Sequence, residues 1–122
     1  MDNTVSVRNF FNGKTIFLTG ATGFLGKFLI EKLVNTCDVK KIYILIREKK
    51  GHSVQERCKM FLNDQLFKFR TDPGKLSVLE AIAGDISEEE LGISLKDRKK
   101  ITSEVDVIIH SAATVKFDEL FR

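Results

Sequence analysis

The sequence predicts an α/β fold: a parallel sheet with helices on both faces, incomplete, with strands 1-4 only in the order 3-2-1-4. Three observations predict it. Short apolar runs of strand type alternate with helix-type segments along the chain. The first run, Thr15-Ile16-Phe17-Leu18, passes through a glycine-punctuated turn straight into a helix. Each pair of strands is separated by a helical segment, which suits right-handed crossovers between parallel neighbours.

The turn is Thr19-Gly20-Ala21-Thr22-Gly23-Phe24-Leu25-Gly26. A strand, a glycine turn and a helix in that order form the phosphate end of a Rossmann-like dinucleotide site. Gly20 lets the chain turn sharply as it leaves the strand. Gly23, without a side chain, lets a pyrophosphate approach the backbone. Gly26 lets the helix lie close to the sheet. The first-turn N–H groups then face the anion, and the helix dipole favours its charge. The glycine spacing alone is a weak signal, because glycines also punctuate ordinary turns. The flanking strand and helix, and a second apolar strand at Lys41 to Ile46, give it weight.

Composition bounds the rest. The 122 residues suggest one domain or part of one. Hydrophobic residues make up 43% and charged residues 30%, the balance of a globular chain. A net charge of +3 is too modest to imply nucleic acid. No apolar run approaches a membrane span, and the first residues are polar and charged, unlike a secretion signal. Cys37 and Cys58 lack metal-site spacing and are expected as reduced, partly buried thiols in an intracellular protein. No metal site is expected. Residues 1-12 are expected as a leader segment, with Phe10 and Phe11 packed beneath the first strand. Residues 13-122 are expected as the amino-terminal part of a dinucleotide-binding domain, truncated.

Strand one is expected at about Lys14 to Thr19, apolar at every position from Ile16 to Leu18, as suits a strand covered on both faces. The helix after it, Phe24 to Val34, carries Leu25, Phe28, Leu29 and Leu33 on one stripe. Lys27, Glu31 and Lys32 lie opposite, with Lys27 and Glu31 spaced to pair. Strand two, Lys41 to Ile46, ends at Arg47. Arg47 lies about twenty residues past the glycine turn, where a dinucleotide site often holds the ribose 2′-hydroxyl with an acid. An arginine there suits a 2′-phosphate instead, hence NADP. Lys49 and Lys50 read as a solvated basic loop.

Ser53 and Glu56 form a capping box, so a helix starts there, with Val54, Cys58, Phe61 and Leu62 on its apolar stripe. Thr71-Asp72-Pro73-Gly74 reads as a tight turn with Gly74 at positive φ. Strand three, about Ser77 to Ala83, contains Glu80 and is therefore expected at an edge. Asp85, at its carboxyl end, either accepts from an adenine amino group or caps the next turn, with the two roles evenly weighted. Ser94 begins a short basic helix. Strand four, Val105 to His110, leads into Ser111-Ala112-Ala113, small residues that let a ligand approach the backbone.

The glycine turn, Ile46-Arg47, Gly84-Asp85 and His110-Ser111-Ala112-Ala113-Thr114-Val115-Lys116-Phe117-Asp118 stand in one order along four strand–helix units. This resembles the amino-terminal part of the extended short-chain dehydrogenase/reductase superfamily. Within it, the likeness is to the alcohol-forming fatty acyl-CoA reductases of the male-sterility type. The resemblance implies reduction of a long-chain fatty acyl-CoA to a fatty alcohol with NADPH and release of CoA. It also implies that Gly20, Thr22, Gly23, Phe24, Leu25 and Gly26 line the pyrophosphate. Arg47 would meet the 2′-phosphate, Asp85 and Ile86 the adenine, and Ala112 and Ala113 the nicotinamide half. An endoplasmic reticulum or peroxisome membrane surface is implied only by the resemblance, and membrane association only through parts outside this stretch.

One departure matters. The family's reduction uses a Tyr-x-x-x-Lys pair, in which tyrosine protonates the developing oxyanion. The single tyrosine, Tyr43, lies inside strand two, and the residue four places on is Arg47. No catalytic residue is expected in this chain, which reads as a fragment of a larger reductase. Competing expectations are another extended short-chain reductase or a thioester-reductase domain, and a non-catalytic NADP-binding module.

Overall fold

The computed structural model describes residues 8–49, 51–68 and 71–111. Four parallel strands form one sheet: β1 (Thr15–Thr19), β2 (Lys41–Ile46), β3 (Leu79–Ala83) and β4 (Val107–His110). Their order is β3-β2-β1-β4, as the sequence predicts. The central pair β1 and β2 is buried almost throughout, which explains runs that are apolar at nearly every position.

Among the described residues, four helices pack on this sheet: α1 (Phe24–Thr36), α2 (Val54–Leu62), α3 (Gln65–Lys68) and α4 (Leu95–Glu104). On one face Ile30, Leu33 and Val34 of α1, Val54 and Phe61 of α2 and Phe67 of α3 meet Ile16, Leu18, Ile42, Ile44 and Ile46. On the other face Phe17, Tyr43, Leu45 and Ile82 pack beneath Leu91, Ile93, Ile101 and Val105, the second layer belonging to α4 and its approach. Alternate residues of β1, β2 and β3 thus face opposite cores, as the period of two requires, whereas β4 feeds one core through Val107 and Ile109 and leaves Ile108 exposed. Ser53 and Ser94 cap α2 and α4, accepting from Glu56 N and Asp97 N. Among the described residues, no helix is long and apolar enough to cross a membrane.

Several local expectations are corrected. The inward stripe of α1 runs through Gly26, Ile30, Leu33 and Val34, while Leu25 and Phe28 are exposed. Gly26 seats the helix on the turn beneath it, and residues one and two turns further on must then face inward. Glu31 is buried, and its Oε1 accepts from Asn35 Nδ2 at 3.0 Å. Lys27 pairs with Asp64 at 2.7 Å instead of with Glu31. A 3-10 turn, Pro73–Val78, delays the start of β3 to Leu79, and Gly74 has no positive φ there. Asp72 fixes that turn by accepting from Gly74 N at 2.9 Å.

Phe11 packs against the first core, but Phe10 is more than half exposed and meets the Phe11 ring edge-on. Residues 8–11 form a helical turn, and the following stretch is tied to the fold through Gly13 N to Asp38 O at 2.8 Å. Asp106 closes the start of β4, accepting from Thr15 N at 3.0 Å while its own N–H donates to Thr15 O. Cys37 and Cys58 are free and partly buried, and burial pushes the Cys58 thiol up.

Glu80 sits on the edge strand β3, as expected, and is not a solvated charge. It accepts from Lys41 Nζ at 2.8 Å and Lys100 Nζ at 2.5 Å. Both ammonium groups lie over the Tyr43 ring, at 5.6 and 5.5 Å from its centroid. Tyr43 is fully buried and donates its hydroxyl proton to Glu104 Oε1 at 2.5 Å. Burial foremost, then that bond, holds the phenol well above its ordinary pKa.

The hydrogen bonds from Lys100 and then Lys41 hold the Glu80 carboxyl below its ordinary value of 4.5. A carboxylate with a depressed folded-state pKa adds stability above its unfolded value and loses it as the pH falls through the folded one. The stability of Glu80→Gln, measured by urea titration, should therefore fall below wild type at pH 7. The gap should close as the pH drops from about 4.5 downward. An unchanged gap at low pH would show that Glu80 acts by shape and not by charge.

Candidate cofactor site

The carboxyl ends of the strands converge on one side of the sheet, beside the reversal of strand order between β1 and β4. Ligands of open α/β sheets bind at such a switch point. Gly20 follows β1 with φ +76°, a backbone state that glycine adopts without strain. Gly23 donates to Gly20 O at 3.2 Å and then serves as the N-cap of α1.

Two glycines of the turn do different work. A Cβ on Gly26 would stand 2.1 Å from Gly20 O and 2.6 Å from the Ala21 Cα, both backbone atoms. Gly26 therefore lets α1 sit directly on the turn, a tighter contact than the helix-to-sheet approach the sequence suggests. A Cβ on Gly23 would meet only Gly20 O at 3.5 Å, an ordinary contact, and its φ of −79° suits any residue. The protein's own packing thus gives no reason for glycine at position 23.

The N-terminus of α1 has no side-chain cap and no acid in its first turn. Ser53 and Ser94 supply such caps to α2 and α4, so α1 stands apart among the described helices of nine or more residues. Its first-turn N–H groups, from Phe24 onward, remain free of side-chain acceptors. Phe24 is 85% exposed.

Beside this helix end, Gly20, Thr22, Leu45, Arg47, Arg57, Gly84, Asp85 and Ile86 line a cleft of ≈ 240 Å³. Five residues singled out from the sequence meet here: Gly20, Thr22, Arg47, Asp85 and Ile86. Gly23, the N-cap of α1, and Phe24 and Leu25 of its first turn follow Thr22 directly in the chain, and Gly26 is buried. Ala112 and Ala113 lie outside the described residues.

The cleft's charges are organised. Arg47 is 61% exposed at its side chain, with Nη1 3.9 Å from Asp85 Oδ2. Asp85 Oδ1 accepts from Ser87 N at 2.9 Å and Ser87 Oγ at 2.8 Å. These bonds from Ser87, with a smaller contribution from Arg47, hold the Asp85 carboxyl below the usual range. Of the two roles weighed for Asp85, the turn-capping one is therefore present. Gly84 allows the close packing behind it, since a Cβ there would stand 2.5 Å from Leu45 Cδ1 and Leu91 O.

Arg57 was not legible as a site residue. It reaches the cleft from α2 and donates through Nη1 to the Arg47 carbonyl. Two guanidiniums therefore line one cleft. The sequence signal lay in the Ser53 cap, which fixes the register of α2 and with it the face that Arg57 occupies.

On the β4 side, Thr19 Oγ1 and His110 Nδ1 lie 2.5 Å apart, and Ser111 Oγ donates to Thr19 O at 2.6 Å. Both contacts tie the end of β4 to that of β1, which gives His110 a structural partner. Among the described residues no cluster of three or more histidine, cysteine or acidic side chains could hold a metal.

Comparison with known proteins gives a consistent result. The family model for the male sterility protein matches residues 18–122. Fatty acyl-CoA reductase 2 of Bos taurus is 41% identical over 116 residues, covering 93% of this chain and 22% of that protein. Fatty acyl-CoA reductase wat of Drosophila melanogaster is 44% identical over 112 residues, covering 90% and 22%. The chain thus spans about a quarter or less of the length of the curated relatives it matches. Among solved structures, the terminal R domain of the myxalamid PKS-NRPS pathway superposes with a TM-score of 0.70 at 35% identity. That match covers 87% of this chain and 26% of that one.

The two glycines separate by stability. Gly26→Ala should lower stability by about 2–3 kcal/mol, because backbone atoms must move to admit the methyl. In Gly23→Ala the lower chain entropy of the unfolded state offsets the poorer N-cap, leaving stability within about 0.5 kcal/mol of wild type. Urea midpoints of the two variants check this, and equal losses would show that the turn tightens around both positions.

Proposed function

The chain belongs to the male sterility protein family, which binds a nicotinamide cofactor, and from that premise we propose that it is the NADPH-binding portion of a fatty acyl-CoA reductase. The full reaction reduces a long-chain acyl-CoA to a fatty alcohol with release of CoA. The observation that carries the cofactor choice is the pair of guanidiniums, Arg47 and Arg57, in one cleft beside the uncapped end of α1.

The residues fit the group. A pyrophosphate on the first turn of α1 would accept from N–H groups that no side chain caps, and the missing side chain at Gly23 lets it approach the backbone. The adenosine would then lie over the ends of β2 and β3, bordered by Ile86 and Asp85. The 2′-phosphate would meet Arg47, with Arg57 adding a second positive charge. Ala112 and Ala113 would border the nicotinamide half. NADPH, when bound, supplies a hydride to the acyl carbon.

This chain's own residues bind and orient; they do not move the proton. Tyr43, the single tyrosine, is sealed beneath α4 with its hydroxyl on Glu104. It stands in the core and is not followed by a lysine at the fourth place. The proton donor of the full reaction belongs to a part of the relatives outside this stretch. By the same reading, acyl-CoA recognition and any attachment to an endoplasmic reticulum or peroxisome surface also belong there.

A second reading has an observation of its own. The solved structures that match include reductase domains of non-ribosomal peptide synthetases, whose fold the chain shares. A thioester-reductase role is therefore the alternative. The 41–44% identity to acyl-CoA reductases favours the first.

Two outcomes test the proposal. The purified chain should bind NADPH but show no NADPH oxidation on addition of long-chain acyl-CoA; turnover would mean that a proton donor has been overlooked. Hydrogen bonds to charged groups contribute roughly 1.5–3 kcal/mol. Arg47→Asp should therefore weaken NADPH about ten- to a hundredfold while NADH binding changes little. Wild type that binds NADH as well as NADPH would leave Arg47 a solvated loop residue.

A further inference from the structure

We propose that Asp85 is a positioning residue that sets the Arg47 guanidinium for the 2′-phosphate, and so acts on cofactor choice without touching the phosphate. The inference rests on the NADPH reading above and goes beyond it in giving the carboxylate a task.

Arg47 is a long side chain, mostly exposed, directly after a strand. Left alone, such a side chain samples many rotamers, and ordering it on binding costs affinity. Its backbone is already held, since its carbonyl accepts from Arg57. Its guanidinium has one described carboxylate partner, Asp85, at 3.9 Å.

That partner is itself fixed. Asp85 Oδ1 takes two hydrogen bonds from Ser87, and Asp85 N donates to Leu91 O at 2.7 Å. The carboxylate therefore cannot rotate freely, and its second oxygen is left to face Arg47. Backbone, carboxylate and guanidinium form a relay from Ser87 through Asp85 to Arg47. A distance of 3.9 Å is long for a locked bidentate pair. It suits a charge that gathers the guanidinium over the cleft yet leaves its N–H groups for another anion.

Two other roles for the carboxylate make different predictions. If Asp85 serves only the adenine, it affects NADPH and NADH alike. If it only adds negative charge near the phosphate, removing it tightens NADPH. Positioning predicts a loss for NADPH beyond any loss it shares with NADH, and that excess only while Arg47 is present.

The experiment is a double-mutant cycle on the full chain, with titration of NADPH and NADH against wild type, Asp85→Asn, Arg47→Ala and the double variant. Asparagine retains an oxygen that can accept from Ser87, so the turn should persist, and urea midpoints check that it does. Asp85→Asn should weaken NADPH by roughly three- to tenfold, a coupling expected between side chains in one network. Any contact of Asp85 with the adenosine costs NADPH and NADH alike, so the NADPH loss should exceed the NADH loss, and in the Arg47→Ala background the two losses should be equal. Ser87→Ala, which frees the carboxylate to turn, should weaken NADPH in the same direction by less. Equal losses for both dinucleotides, a gain for NADPH, or the same loss without Arg47 would each overturn the proposal. Wild type that binds neither dinucleotide overturns the NADPH reading itself, and is distinguished because it precedes any substitution.

Discussion

The contact on which the structure depends is the seating of α1 on the glycine turn. Gly26 lies so close to Gly20 O that a methyl group there would overlap the backbone. This single approach sets the depth of the helix, its rotation and the direction of its N-terminus. Rotation follows because Gly26 must face inward, which brings Ile30, Leu33 and Val34 onto the sheet and turns Leu25 and Phe28 outward. Direction follows because the helix starts where β1 ends, so its free N–H groups open beside the strand ends.

Strands and topology were legible because a doubly covered parallel sheet writes itself as continuous apolar runs. β1 and β2 could hardly be anything else, and Glu80 correctly marked β3 as an edge. The stripe of α1 was not legible. Counting apolar residues favoured Leu25 and Phe28, but a residue with no side chain decided the inward face. Gly74 was misread for a related reason: Asp72 bonds its N–H in a 3-10 turn, a local choice that proline and glycine alone do not specify.

The site was half legible. Gly20, Thr22, Arg47, Asp85 and Ile86 follow strand ends, so the topology alone brings them together. Arg57 comes from a helix and reaches the cleft by packing across α2 and β2, which no spacing rule predicts. Ser87 belongs to no motif read from the sequence, yet its hydroxyl and N–H fix the carboxylate beside Arg47. Sequence motifs name the groups that touch a ligand more readily than the groups that hold those residues still.

The cleft has no floor until the sheet is complete. Gly20, Arg47 and Gly84 each leave a different strand, and the chain between them must cross over twice before they meet. No local segment of the chain contains the site, so an unfolded or partly folded molecule offers a ligand nothing to bind. Any dinucleotide held there is therefore a folding ligand as well as a reagent: it draws the population toward the assembled sheet by RT ln(1 + [L]/Kd). The concentration of the dinucleotide would then set how much of the chain stays folded.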